Sequence, residues 1–511
     1  MPAAHPDFPL IPRPSKLSVR AGRFTLDADT SIRAAPGTEG AAELLRSFLA
    51  PATGLPLAPS PNGQLGLLLD PQLDGLGDEA YGLTIGPNAL LLRAAHETGL
   101  LHGIQTIRQL LPSEALLDTP QRRSSWQLPC VEITDAPRHL WRGAMLDVAR
   151  HFQPVSFVRR YVDLLAFHKL NVLQLHLTDD QGWRMPVPAY PKLTEIGGHR
   201  AQSMVGPSGS GVYDGTPHGG SYTRRELSEL VAYAASRGVT IVPEIGMPGH
   251  ARAAIAAYPE LGNCPERRLG VWTEWGVCDT TLGVHDLALD FCRTVLEEVM
   301  DVFPASHIHV GGDECPTVEW AASADALRRV EDEGLAGPEA LHGWFMGRIG
   351  KFLTGHGRRP MGWAETGTEL PPEFTVTTWR DPSHGLAAAR RGQQVVMAHY
   401  RSTYLDYAQS DDLSEPPAQP GAVVDLKSVH TYRPAPADWE DEAAAQVLGT
   451  QAQLWTEFAT TPAHLEYLSF PRLCALADRA WSDEPGWADF LARMRLHESR
   501  LDALDVQYRP L

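Results

Sequence analysis

From about residue 138 onward the chain repeats a pattern that few folds accommodate. Short apolar runs recur at 140–147 (LWRGAMLD), 172–177 (VLQLHL), 239–245 (VTIVPEI), 307–310 (HIHV), 360–363 (PMGW), 375–379 (TVTTW), 394–399 (QVVMAH) and 447–455 (VLGTQAQLW). Between several of them lie stretches with helical spacing, at 155–170, 223–238, 287–303 and 339–357. The second is the most explicit. Thr223 and Glu226 are spaced as a capping box, Leu227, Leu230, Val231 and Ala234 recur on one face, and Gly238 ends the pattern. Strands alternating with helices predict a parallel sheet. Eight such units predict an α/β fold closed into a (β/α)8 TIM barrel.

Residues 1–135 follow another rule, and the 511-residue length has room for a second domain. Residues 65–70 and 81–95 read as short strands, the latter a hairpin around Gly86-Pro87-Asn88. Residues 97–112 read as an amphipathic helix with Leu101, Ile104 and Leu111 on one face. The division expected is a small α+β accessory domain over 1–135 and a catalytic barrel over 136–511. The polar, proline-bounded stretch 118–129 reads as a connection between them, or as a hairpin leading into the second.

Composition narrows the partners. The formal charge is 44 − 62 = −18, which disfavours nucleic acid and anionic membranes. No apolar run approaches the roughly 18 residues of a membrane span. The start, MPAAHPDFPLIPRP, has neither a basic nor an apolar signal region, so a cytoplasmic location is expected unless a signal was trimmed. The six cysteines are scattered and read as free thiols; Cys264 and Cys278 flank one loop and could pair on export.

A TIM barrel carries its active site at the C-terminal ends of its strands. Those ends hold Arg150, then Asp179, Asp180 and Trp183, then His250, then Asp313 and Glu314. Trp363, Trp379, Tyr404 with Asp406, and Trp455 with Glu457 follow. Any one of these has a bland reading, as core packing or a solvated ion pair. All eight ends together offer polar or aromatic groups suited to a polyol, which points to a carbohydrate site. The adjacent acids Asp313 and Glu314 admit three readings. A metal site would need converging ligands, and no H-E-x-x-H pattern supports one. A two-carboxylate glycosidase needs acids on opposite sides of the anomeric carbon, whereas neighbours at a strand end are expected to diverge. In the third reading one acid protonates the leaving oxygen while the other holds a substrate group that is itself the nucleophile.

The motifs RHF (150–152), HLTDDQGWR (176–184), EIGMPGH (244–250), HVGGDE (309–314), YLD (404–406) and LWTE (454–457), with the closing YLSFPRLCALADRAWS (467–482), resemble those of the glycoside hydrolase family 20 β-N-acetylhexosaminidases. GIQTIRQLL (103–111) resembles part of that family's accessory domain. The resemblance implies exo-acting, retaining hydrolysis of β-linked N-acetylhexosamine glycans, in which the sugar's 2-acetamido oxygen attacks its own anomeric carbon. It implies no cofactor or metal. It casts Glu314 as general acid and then base, with a pKa raised partly by Asp313. It casts Asp313 as the holder of the acetamido N–H and Tyr404 as the hydroxyl on the acetamido oxygen. Trp363, Trp379 and Trp455 become pocket walls, and Arg150, Asp406 and Glu457 the ligands of the sugar hydroxyls. Asp179 and His250 become a relay onto Glu314.

Two departures stand out. Gly246 replaces the acid usual in that motif, so a second carboxylate beside His250 is expected to be missing and His250 to be less readily protonated. The stretch 410–434 lacks the tryptophan that many relatives place against the leaving-group sugar, and its Pro- and Asp-rich composition reads as a long mobile loop. The alternatives are a disaccharide-releasing relative, against which Arg150, Asp406 and Glu457 argue, and a non-catalytic sugar-binding barrel, against which Glu314 argues.

Overall fold

The computed structural model describes residues 8–123, 125–365, 369–482 and 486–511. Its N-terminal part is a six-stranded mixed sheet with strands β1 (Lys16–Leu26), β2 (Ile32–Ala34), β3 (Leu65–Leu69), β4 (Tyr81–Ile85), β5 (Leu90–Ala94) and β6 (Trp126–Asp135), in the order β1-β6-β4-β5-β3-β2. The 81–95 hairpin forms as expected, closed by Gly86 N–H donating to Ala89 O at 2.9 Å. The stretch 118–129 is only partly a connection: from Trp126 it is strand, paired with both β1 and β4.

Helices α1 (Glu39–Thr53) and α2 (Glu97–Leu110) accompany this sheet. The amphipathic reading of α2 understates its burial, because every residue from Gly99 to Leu110 is buried. Its glycines let it lie close on the sheet. A Cβ on Gly99 would stand 2.2 Å from Ala80 O, and one on Gly103 2.2 Å from a Leu92 methyl. The opposite side meets the barrel, where Gln109 donates to Phe167 O at 3.0 Å.

The eight predicted barrel strands all form: Trp141–Asp147, Val172–Asp179, Thr240–Met247, His307–Gly311, Arg359–Trp363, Thr375–Thr378, Val395–Met397 and Val447–Leu454. Each pairs in parallel with the next, and the eighth pairs with the first, which closes the barrel. The runs are rich in apolar residues because helices cover a parallel sheet. Among these helices are Val155–Phe167, Arg224–Ala235, Asp286–Val302 and Ala340–Gly355, and the predicted Thr223–Glu226 capping box is present. At the N-terminal end of the barrel Trp141, Val172, Val242, Met361 and Val396 form an apolar cluster. Toward the other end buried Gln174, His176, Glu244, His309, Gln451 and Gln453 take over.

The two parts are joined by buried charge. Lys169 Nζ lies 2.9 Å from Asp135 and donates to Tyr81 Oη at 2.8 Å, while Trp481 Nε1 donates to Asp135 at 2.9 Å. Nearby, Arg142 pairs with Glu79 at 2.6 Å. No helix among the described residues is long and apolar enough to cross a membrane.

The stretch 410–434 is more structured than its composition suggests. It contains a strand (Gln419–Val423) and a helix (Leu426–Thr431). The buried guanidinium of Arg472 gathers the carbonyls of Leu405, Tyr407 and Val424 at 2.6–3.0 Å, which pins it to the barrel. Cys264 is exposed, Cys278 is buried, and the two are not bonded.

Candidate active site

A cavity of about 220 Å³ opens at the C-terminal ends of the strands, and ten of the eleven site residues named from the sequence line it. The eleventh, Asp179, lies beneath, fully buried.

The fourth strand delivers both acids through an unusual backbone. Gly311 (φ 69°), Gly312 (φ 90°) and Glu314 (φ 44°) are all left-handed, and His250 opposite has φ 50°. For the two non-glycine residues this costs about 1–3 kcal/mol each, a strain typical of functional sites. The glycines also serve protein packing, as a Cβ on Gly311 would meet Gly246 Cα at 3.1 Å and one on Gly312 the Met346 methyl at 2.7 Å. The turn also overrides the expected divergence of neighbours. Asp313 Oδ2 and Glu314 Oε2 each lie 3.6 Å from the same atom, His250 Nε2.

The predicted relay is present with an added member. His250 Nδ1 lies 3.2 Å from Asp179 Oδ1 and 3.1 Å from Asp180 Oδ2. A second carboxylate therefore does stand beside His250 despite Gly246: it is Asp180, held by the Arg252 N–H at 2.9 Å. Burial alone would strip His250 of its proton; Asp179, with Asp180 and Asp313 behind it, keeps it charged well above its ordinary pKa. The expectation of a less readily protonated His250 loses its premise. Asp179 itself is held far below the usual carboxylate range, since Arg150 and His250 outweigh its burial.

The expectation that Glu314 is raised also fails in this geometry. Burial pushes it up, but the hydrogen bond and charge of His250, then Arg380 and Arg150, bring it below the ordinary value. Arg380 Nη2 donates to Glu314 Oε1 at 2.7 Å. It is Asp313 that burial raises, aided by the Glu314 charge against the pull of His250. Arg380 was not singled out from the sequence, although it directly follows Trp379 at a strand end. Its neighbour Glu365 is pushed up to about 7, by burial and then by Asp313.

Aromatic rings wall one side. Trp379 and Tyr404 lie parallel (15°) with centroids 6.0 Å apart, Tyr404 is 6.3 Å from Trp455, and Trp455 is 6.1 Å from Trp363. Burial, then the Asp406 charge, keeps Tyr404 a neutral hydroxyl. On the far side Arg150 is clamped by Asp179 at 2.9 Å and by Gln181 at 3.0 Å. Burial, then the Glu457 charge, raises Asp406 well above its ordinary pKa, and burial raises Glu457 against the pull of Arg150. Trp275 and Val277 also line the cavity, from the loop ahead of Cys278, and were not anticipated. His250, Asp313 and Glu314 bring three ligand atoms within 4.8 Å of one another, a spacing a metal could use. Arg380 and the charged His250 already supply positive charge there.

The model of the glycosyl hydrolase family 20 catalytic domain matches residues 139–484, and that of the family's domain 2 matches residues 7–136. The chain belongs to glycosyl hydrolase family 20. A β-hexosaminidase of Porphyromonas gingivalis is 34% identical over 98% of this chain, which spans 64% of that protein's length. A β-hexosaminidase of Akkermansia muciniphila is 35% identical over 85% of this chain and 86% of its own. Among solved structures, the family 20 exo-β-N-acetylglucosaminidase of Vibrio harveyi in complex with N-acetylglucosamine superposes with a TM-score of 0.87 at 31% identity, covering 100% of this chain and 80% of that one. The β-N-acetylhexosaminidase of Streptomyces coelicolor gives 0.86 at 32%, covering 98% and 97%. This family 20 chain is thus a glycoside hydrolase of the β-N-acetylhexosaminidase type.

Proposed function

We propose that the chain removes single N-acetylhexosamine residues from the non-reducing ends of β-glycosides, with retention of configuration, the substrate's acetamido oxygen acting as nucleophile. The observation that carries this reading is the convergence of Asp313 and Glu314 on one nitrogen of His250. Adjacent residues of one strand end, with carboxylate oxygens within 4.8 Å of one another and both turned to His250, sit on one flank of the cavity. A carboxylate nucleophile and a carboxylic acid flanking the anomeric carbon would have to face each other.

In this reading Glu314 protonates the leaving oxygen, and Asp313 orients the acetamido group and stabilises the charge that develops on it. An attached nucleophile gains effective molarity over a free one. Tyr404 holds the acetamido oxygen between Trp363, Trp379 and Trp455. Arg150, Asp406 and Glu457 take the sugar hydroxyls, and their closure of one end supports exo action. The small cavity suits one sugar residue better than the roughly 300–1,000 Å³ pockets of larger ligands. The ionised state favoured at Glu314 serves the second step, in which it draws a proton from water. The first step uses the protonated fraction, so kcat/KM is expected to fall as pH rises.

Release of p-nitrophenol from its N-acetyl-β-glucosaminide tests the activity. Glu314→Gln should lower kcat/KM by about 10²–10⁴-fold. A thiazoline mimic of the cyclised intermediate should inhibit competitively; an enzyme that turns over but ignores it does not use the acetamido group.

A further inference from the structure

Glu244 is a charged residue in the middle of the third barrel strand, fully buried. Strand register places it beside His176 on one neighbour and His309 on the other. Its carboxylate is saturated. Oε2 lies 2.7 Å from His176 Nδ1 and accepts from Gln174 Nε2 at 2.7 Å. Oε1 accepts from Trp363 Nε1 at 2.8 Å and lies 3.2 Å from His309 Nδ1. Two of these partners lead directly into the site. Trp363 lines the cavity. His176 turns its other nitrogen to Asp179 Oδ2 at 2.8 Å, and Asp179 in turn holds Arg150 at 2.9 Å and His250 at 3.2 Å.

We infer that Glu244 and His176 are positioning residues that extend the relay into the barrel: Glu244 fixes His176, His176 fixes Asp179, and Asp179 aligns His250 on the acid Glu314. The inference rests on the reading of Glu314 as general acid. An isolated buried carboxylate costs several kcal/mol unless charge and hydrogen bonds offset it. Here the compensation is a run of alternating charge, Glu244, His176, Asp179 and then His250. Burial alone would neutralise His176, but Glu244 and Asp179 on its two sides hold it protonated, pushed up to about 10. With Nε2 hydrogen-bonded to Asp179 and Nδ1 ion-paired with Glu244, the ring cannot turn without breaking one ion pair, so Asp179 is fixed in the orientation that serves His250. The same carboxylate also holds the Trp363 indole, and thus couples the wall to the acid.

The test separates alignment of the acid from general damage. Glu244→Gln keeps an oxygen for Trp363 Nε1 but removes the negative charge facing His176. His176→Gln leaves the Glu244–Trp363 bond intact and breaks the path one link further on. Each is compared with the parent enzyme on aryl N-acetyl-β-glucosaminides, from 2,4-dinitrophenyl, which leaves almost without protonation, to phenyl, which needs the acid. Circular dichroism and thermal melting identify folded variants. The expected result is a loss of kcat/KM on the order of 10–100-fold for the phenyl glycoside, with little change for the dinitrophenyl one, in whichever variant folds. Equal losses for both leaving groups, or no loss, would overturn the inference. If the parent enzyme cleaves neither glycoside, it is the assignment of the reaction that fails.

Discussion

Two of the molecule's clusters of buried charge are built from similar residues for opposite ends. At the seam between the sheet and the barrel, Lys169 faces Asp135, whose oxygens also accept from Trp481, Ser15 and Tyr81. Acceptors and donors are matched, and the carboxyl is held below its ordinary pKa, Lys169 and Trp481 outweighing its burial. At the mouth of the barrel the carboxylates outnumber their partners. Asp406 Oδ1 and Glu365 Oε1 are buried without a hydrogen-bond partner among the described residues, and both groups are raised rather than lowered. Buried polar groups are ordinarily satisfied, and those left over call for an explanation. A closed cluster supports the fold; an open one keeps unspent hydrogen bonds for a ligand, a sugar in the function proposed above.

The contrast can be broken from either side. The largest effect should come from Glu314→Gln, which removes the acid and about 10²–10⁴-fold of rate while leaving the melting temperature unchanged or higher. A fall in stability comparable to that of a seam variant would erase the distinction. At the seam, Lys169→Met should do the reverse, because breaking a buried pair strands a charge at a cost of about 3–5 kcal/mol. Thermal or urea denaturation would read that loss, while kcat per folded molecule stays at the parental value. The smallest effect is expected from Arg380→Ala. Arg380 is one of the cations holding Glu314 below its ordinary pKa. Its removal raises the Glu314 pKa, so the fraction protonated for the first step persists to higher pH. The alkaline limb of kcat/KM should therefore move up, and a limb that stays put or moves down would show that Arg380 does not bear on the acid.

The barrel was legible in the sequence because each strand is buried on both faces and writes itself as an apolar run. The accessory sheet was legible only in part. Strand β1 is mostly exposed, with eight of its eleven residues open to solvent, and carries little apolar signal. Helix α1 contains Pro51, which reads as a breaker although it sits in the last turn. Within the site, residue types at strand ends found the cavity lining. Their protonation was misjudged, because Asp180 and Arg380 act across 70 and 66 residues of chain that spacing cannot bridge. Glu244 did leave a trace: a lone charge in VTIVPEI, inside a run otherwise apolar.

Helix α2 has one more consequence. It is walled in by its own sheet on one side and by the barrel on the other, and its Gln109 is shared among Ile11, Phe167 and Arg500, two of which lie near opposite ends of the chain. A cut at the sequence boundary would thus uncover a face of the barrel's outer helices rather than remove an appendage. For anyone trimming or recombining such enzymes, the unit of inheritance is the pair: two separate cores that share one sealed seam.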